Sequence, residues 1–345
     1  MTDRSVIEPR IGGRDVKGTA NEMRAAVVNE LGQAPGISEE RDEPRRTAGV
    51  SLVQVTAAAV NPIDLLIASG LHPLGKPKPG YVPGVEGAGL IVESDTFAPG
   101  TLVRVSVPGG FVDGTLAQYT LAQDTACVQV PEGLGDDLAA AIGVVGISAL
   151  VGLRDEAALK PGESVLVLGA TGAFGQAFVH LARALGAGRV IAAGRNEARL
   201  AALEARGVVD GTVLLDPDPA GFLGGLEKVG GQVDIVVDPL WGPYAQSAIS
   251  ALRTTGRLLN VGQSAGAEGT IIASSLRHAR LKVLGLSGSY LTPGQSAEAY
   301  AQVADYAAQG KLDLELATYP LRDVAEVWAA QAASPGRKLV LRPGE

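Results

Sequence analysis

Residues 164–183 confine the fold more than any other stretch of the chain. Val165–Leu168 is a continuous apolar run, the pattern of a parallel strand covered on both faces. Gly169, Gly172 and Gly175 follow at three-residue spacing, and Phe178, Leu181, Ala182 and Leu185 then recur at helical spacing. The order is a buried strand, a tight glycine turn and a helix with a bare N-terminus. Such a helix start leaves backbone N–H groups and a positive dipole end open to a pyrophosphate. The turn residues are Ala170, Thr171, Gly172, Ala173, Phe174 and Gly175. A glycine triplet alone is a weak signal; between this strand and this helix it reads as a dinucleotide site.

The chain beyond the helix bears on which dinucleotide. Its next strand is Val190–Ala193, followed by Gly194-Arg195-Asn196-Glu197. An NAD site usually carries an acid there, about 20 residues past the glycines, for the ribose 2′-hydroxyl. The position 19 residues beyond Gly175 is Gly194, with Arg195 next. A carboxylate repels a 2′-phosphate, whereas a guanidinium grips it through paired hydrogen bonds. Arg195, with Asn196 in support, thus favours NADPH over NADH. The plainer alternative has Arg195 merely starting the next helix.

At 345 residues the chain has room for two domains. Hydrophobic content of 46% with 19% charged residues indicates a folded protein. A net charge of −8 without a basic stripe argues against nucleic acid as a partner. Cys127 is the sole cysteine, which excludes an intrachain disulfide and a cysteine-rich zinc site. The longest apolar run, Leu138–Leu153, is 16 residues and holds four glycine or serine residues. It is short for a membrane span and reads as a buried helix broken over Gly143–Gly146. With no apolar signal segment over residues 1–22, a cytoplasmic protein with no membrane partner is expected.

Met23–Val28 and Val50–Ala58 read as strands, and residues 61–130 as a small irregular β-barrel. From Leu138 onward helices and strands alternate, with strands at 165–168, 190–193, 233–237, 257–261 and 281–286. This is the pattern of a doubly wound parallel sheet. Tyr300–Ala308 reads as a helix, and Lys338–Leu341 returns to strand.

Several ordered motifs carry a resemblance: Asn61-Pro-Ile-Asp64, Pro83-Gly-Val-Glu-Gly-Ala-Gly89, Gly146-Ile-Ser-Ala149, Gly169–Gly175, Asp238-Pro-Leu-Trp-Gly242 and Gly256-Arg-Leu-Leu-Asn-Val-Gly262. From Met23 to the C-terminus the chain resembles the medium-chain dehydrogenase/reductase superfamily, in its quinone oxidoreductase (zeta-crystallin-like) branch. The resemblance implies an α/β fold in which a Rossmann sheet is inserted into a GroES-like β-barrel catalytic domain. The implied division is an N-terminal extension over 1–22, a GroES-like domain over 23–143, a Rossmann domain over 144–286 and a C-terminal segment over 287–345 that returns to the catalytic domain. It further implies a homodimer formed through the last Rossmann strand.

Zinc-dependent members of the superfamily carry a cysteine where this chain has Asn61, a histidine where it has Val85, and a third ligand near Val144. A catalytic zinc needs about three N, S or O ligands, so no metal site is expected. Without a Lewis acid, polarising a simple ketone or alcohol is difficult. A quinone or an α,β-unsaturated carbonyl is electrophilic already and needs only proximity and a few hydrogen-bond donors. The expected activity is NADPH-dependent reduction of such a small molecule. The alternatives are an enoyl-thioester reductase of the same superfamily and an NADPH-binding protein without turnover.

Two polar side chains are catalytic candidates. His72 stands where many zinc-free relatives place a tyrosine that donates to the substrate carbonyl, and an imidazolium can do the same. It reads alternatively as an exposed loop histidine beside Pro73. Asn61 can donate to a substrate oxygen or brace its own loop next to Pro62. By resemblance, Ser148 or Ala149 lies near the nicotinamide, with Asp238, Leu240, Val261 and Gly262 along the opposite wall. Asp64 and Glu86 read as structural, His180 as a surface residue, and Tyr290 and Trp241 as cleft-lining or packing. Relatives place a glycine–lysine pair near the C-terminus against the cofactor, where this chain has Arg337-Lys338.

Overall fold

The computed structural model of the chain describes residues 22–73, 75–108 and 112–345. The expected N-terminal extension lies outside these residues as far as position 21. Strands β1 (Glu22–Val27) and β2 (Gly36–Asp42) form an antiparallel pair. Strands β3 (Val50–Val60), β4 (Glu86–Glu93), β5 (Leu102–Ser106), β6 (Tyr119–Gln123) and β7 (Cys127–Gln129) build an antiparallel sheet. Its Val- and Ala-rich β3 is the centre, with β4 and β6 both paired to it. Helix α1 (Pro62–Ala68) leaves the end of β3, its start fixed by Pro62 in the first turn. Gly89 lets β3 and β4 close up: a Cβ there would lie 2.9 Å from the Gln54 carbonyl carbon.

Helices α2 (Asp136–Ala141) and α3 (Gly143–Val151) lead into the second sheet. It alternates β8 (Ser164–Leu168), α4 (Ala173–Ala184), β9 (Arg189–Gly194), α5 (Glu197–Ala205), β10 (Gly211–Leu214) and α6 (Pro219–Glu227). It continues with β11 (Val233–Asp238), α7 (Ala245–Ser250), β12 (Leu252–Asn260), α8 (Ala273–Ala279) and β13 (Lys282–Gly285). The six strands are parallel in the order β10-β9-β8-β11-β12-β13. Strand order reverses beside β8, which places a ligand crevice beyond the carboxyl ends of β8 and β11. The chain then returns through α9 (Pro293–Ala308), β14 (Leu316–Pro320), α10 (Val324–Ala332) and β15 (Lys338–Arg342). Strand β15 pairs antiparallel with β3, Leu339 opposite Val60, so the end of the chain completes the first sheet.

Four local expectations are corrected. The apolar run 138–153 breaks at Ile142, where α2 ends, and Gly143–Gly146 lie inside α3. The small residues there serve close packing: a Cβ on Gly143 would meet Arg104 Nη2 at 2.7 Å. Helix α9 starts at Pro293, ahead of Tyr300, because the Thr292 hydroxyl accepts Gln295 N–H at 3.3 Å while Gln295 Oε1 accepts Thr292 N–H at 3.0 Å. Strand β10, only four residues long, was not expected from the pattern. His180 is buried, since residues 311–313 cross the face of α4 that holds it. That burial holds its imidazole below the ordinary value, and the neighbouring Arg206 acts in the same direction.

Candidate active site

The glycine turn opens the crevice. Gln176 N–H donates to Gly172 O at 2.9 Å, the first intrahelical bond of α4, so the N–H groups of Ala173, Phe174 and Gly175 precede the helical ladder. Thr171, Gly172, Ala173 and Phe174 are half-buried, whereas Ala170 is buried and its N–H is spent on Ala193 O at 3.0 Å. Gly175 is obligatory: a Cβ there would come within 2.6 Å of Ala170 Cα and closer still to Gly169 O.

At the end of β9, a Cβ on Gly194 would lie 3.1 Å from Thr171 Cγ2. An acid at that position would need the Thr171 side chain to give way by a few tenths of an ångström. Arg195 beside it is exposed and makes no hydrogen bond or ion pair among the described residues. Asn196 caps α5, its side chain accepting Arg199 N–H at 3.1 Å.

The opposite wall is the end of β11. Asp238 is fully buried, and its Oδ1 accepts the N–H groups of Leu240 at 2.8 Å and Trp241 at 2.9 Å. Burial pushes this carboxyl above its ordinary value against those two donors. The turn they hold puts Trp241 at φ 54°, the left-handed side that glycine prefers. Leu240 thereby lies over the glycine turn, 3.3 Å from a Cβ on Gly169. Val261 N–H donates to Asp238 O at 2.9 Å, which sets half-buried Val261 and Gly262 beside this wall. On α3, Ser148 is half-buried and donates to Val144 O at 2.8 Å, whereas Ala149 is packed in the core and presents nothing to the crevice.

The catalytic candidates fare differently. His72 is half-buried in the loop after α1. Asn61, at the junction of β3 and α1, is fully enclosed. Its Nδ2 donates to Glu86 Oε1 at 3.0 Å and to Ala59 O at 3.4 Å, and its Oδ1 accepts the Lys338 ammonium. The amide is committed to the protein, chiefly to side chains on β4 and β15.

Asn61 belongs to a buried charge cluster that the sequence did not reveal. Glu86 Oε1 also accepts Lys338 Nζ at 3.0 Å, and Oε2 accepts Val144 N–H at 2.6 Å with Arg104 Nη2 at 3.7 Å. Arg104 stacks over the Tyr300 ring at 5.0 Å, and Tyr300 donates to Ala139 O at 2.9 Å. Asp64 accepts Asn61 N–H at 2.8 Å and Val85 N–H at 3.0 Å. Its burial pushes the carboxyl up to about 7 despite these donors. Lys338 is thus far from solvent and bonded to Glu86, although in sequence it is separated from it by 252 positions.

Residues 47–132 match the family model of the alcohol dehydrogenase GroES-like domain, and residues 173–308 that of the zinc-binding dehydrogenases. Human quinone oxidoreductase is 31% identical over 249 residues, covering 70% of this chain and 73% of that protein. A phenolphthiocerol synthesis polyketide synthase of Mycobacterium marinum is 34% identical over 223 residues, 63% of this chain but only 10% of that far longer protein. A mycobacterial quinone oxidoreductase structure superposes at a TM-score of 0.82 with 22% identity, over 93% of this chain and 100% of that one. A related mycobacterial structure complexed with NADPH superposes at 0.81, also with 22% identity, covering 93% and 100%.

The chain belongs to the medium-chain dehydrogenase/reductase superfamily, with a quinone oxidoreductase-like character. It is an oxidoreductase of that superfamily.

A zinc ion, which one family description names, does not fit the residues present. Val85 and Val144 offer no side-chain donor, and Asn61 and Glu86 converge on the Lys338 ammonium, which would repel a cation. Among the described residues no group of three or more His, Cys, Asp or Glu can hold a metal ion. No helix among them is long and apolar enough to cross a membrane.

Proposed function

We propose that this chain is an NADPH-dependent, zinc-independent reductase of quinones or α,β-unsaturated carbonyls. One observation carries the cofactor choice: the end of β9 is Gly194, which offers no acid, and an uncommitted, exposed Arg195 follows. An acidic chain of net charge −8 needs focused positive charge to hold a phosphorylated cofactor. The bound nicotinamide supplies a hydride. The N–H groups at the start of α4 hold the pyrophosphate, Arg195 with Asn196 binds the 2′-phosphate, and Asp238, Leu240, Val261, Gly262 and Ser148 line the nicotinamide half.

His72 donates the hydrogen bond and proton at the substrate oxygen. Asn61 acts as a positioning residue through Glu86 and Lys338. The donor set without zinc suits an acceptor that is already electrophilic.

The proposed division places the GroES-like domain over 23–143 with its return segment over 287–345, and the Rossmann domain over 144–286. A cytoplasmic homodimer is part of the same reading. The homodimer's support is the edge strand β13, which among the described residues pairs only with β12 and exposes Val283. Likeness to polyketide synthases favours an enoyl-thioester reductase as the second reading.

Initial rates of NADPH and NADH oxidation with an ortho-quinone and with an enoyl thioester test these readings. The first predicts quinone turnover with NADPH preferred. Turnover confined to the thioester supports the second, and tight NADPH binding without any turnover leaves a binding protein.

A further inference from the structure

Beside the glycine turn a single carboxylate oxygen holds two guanidinium groups. Glu315 Oε1 lies 3.3 Å from Arg199 Nη2 and 3.1 Å from Arg337 Nη2. Arg199 reaches the turn itself, since its Nη1 donates to Thr171 O at 3.2 Å. Thr171 in turn packs on Gly194, next to Arg195. Buried Gln176 fixes the backbone at Glu315: its Oε1 accepts the Glu315 backbone N–H at 3.0 Å, and its Nε2 donates to Gly336 O at 3.1 Å and Thr171 O at 3.3 Å. A Cβ on Gly336 would collide with the Arg199 guanidinium, so that head group is pressed against the backbone there. A cavity of about 50 Å³ lined by Thr171, Gln176, Arg199, Arg206 and Glu315 adjoins the triad, enough for water to solvate a displaced carboxylate.

We propose that Glu315 occupies Arg199 and Arg337 as an internal stand-in for the 2′-phosphate, and thereby limits how strongly the protein prefers a phosphorylated cofactor. The proposal rests on the NADPH reading above. Side-chain exposures of 25% for Arg199, 43% for Arg337 and 42% for Glu315 mark pairs that contribute little to the fold. Their exchange for a better anion therefore costs little stability. A phosphate offers separate oxygens to each guanidinium, whereas the carboxylate shares one. A fixed negative charge at Glu315 also repels an incoming dianion. Glu315 precedes β14 and Arg199 lies on α5, so arrival of the phosphate releases a tie between the two sheets.

The test is calorimetric titration of the full chain and of Glu315→Gln with adenosine 2′,5′-bisphosphate and with ADP. The variant keeps the side chain's size and one acceptor oxygen while removing its charge. Expected is about fivefold tighter binding of the 2′-phosphorylated nucleotide by Glu315→Gln, with ADP unchanged. The gain should vanish in the Glu315→Gln/Arg199→Ala double variant. Unchanged or weaker binding of the bisphosphate by Glu315→Gln, against a wild-type preference for it, overturns the proposal alone. If the wild-type chain shows no preference for the 2′-phosphorylated nucleotide, the NADPH reading fails and the proposal falls with it.

Discussion

The glycine turn of the Rossmann sheet and the charge cluster at the end of β3 use polar groups in opposite ways. At the turn, the N–H groups of Ala173–Gly175 and the Arg195 guanidinium have no acceptor among the described residues. In the cluster, Asn61, Glu86, Arg104 and Lys338 are nearly or fully buried and are directed at one another. Uncommitted donors at a helix start are a binding surface. Buried charges of opposite sign that face each other fix the relative placement of the segments that carry them, here the end of β3 with β4, β5 and β15, and the start of α3 is held by Glu86. The contrast separates residues that meet a ligand from residues that hold the site's frame.

The largest effect should fall on the cluster. Lys338→Met leaves the Glu86 carboxylate buried without its ammonium and should lower stability by about 3–5 kcal/mol. Chemical denaturation measures this, and pairing it with Glu86→Gln should recover part of the loss. Affinity for ADP should stay near the wild-type value, because no cluster side chain is expected to touch nucleotide. The turn should answer the other way. Gly175→Val forces a side chain into Gly169 and Ala170, costing about 3 kcal/mol and removing ADP binding even in the folded fraction.

Smaller effects sharpen the comparison within the site. His72→Phe should reduce kcat with a quinone by about 100-fold while leaving the KM for NADPH unchanged. Arg195→Ala should weaken NADPH binding about 10-fold and leave NADH alone, as loss of a charge-assisted bond requires. Asp64 gives a signal of another kind, read as a slope. Its folded carboxyl titrates near 7 against an ordinary 3.8, so the native state holds the extra proton between those values. Stability should therefore fall as pH rises through that window and level off above it. Urea midpoints across the window should show the slope in the wild-type chain and a flatter profile in Asp64→Asn.

The same division explains what could be read from sequence. The Val165–Gly175 segment was legible because strand, turn and helix are contiguous and each declares itself by local pattern. The parallel strands followed for the same reason, apart from β10, whose four residues start at a glycine. The charge cluster was not legible, since its members come from β3, β4, β5 and β15 and nothing local links Glu86 to Lys338. Asn61 was recognised as a residue of interest, but its amide had two plausible partners until β15 was placed. His180 failed similarly: its helix stripe looked complete without it, and the segment that covers it lies about 130 residues downstream, near Lys311.

What sets the proposed reductase apart is work on activated acceptors without zinc. Its most direct test is NADPH oxidation by chelator-treated, metal-free protein offered an ortho-quinone, a 2-alkenal and a simple ketone in turn. A zinc-independent reductase should turn over the quinone or the alkenal, leave the ketone untouched, and gain nothing when zinc is restored. Ketone reduction that appears only on adding zinc would contradict it.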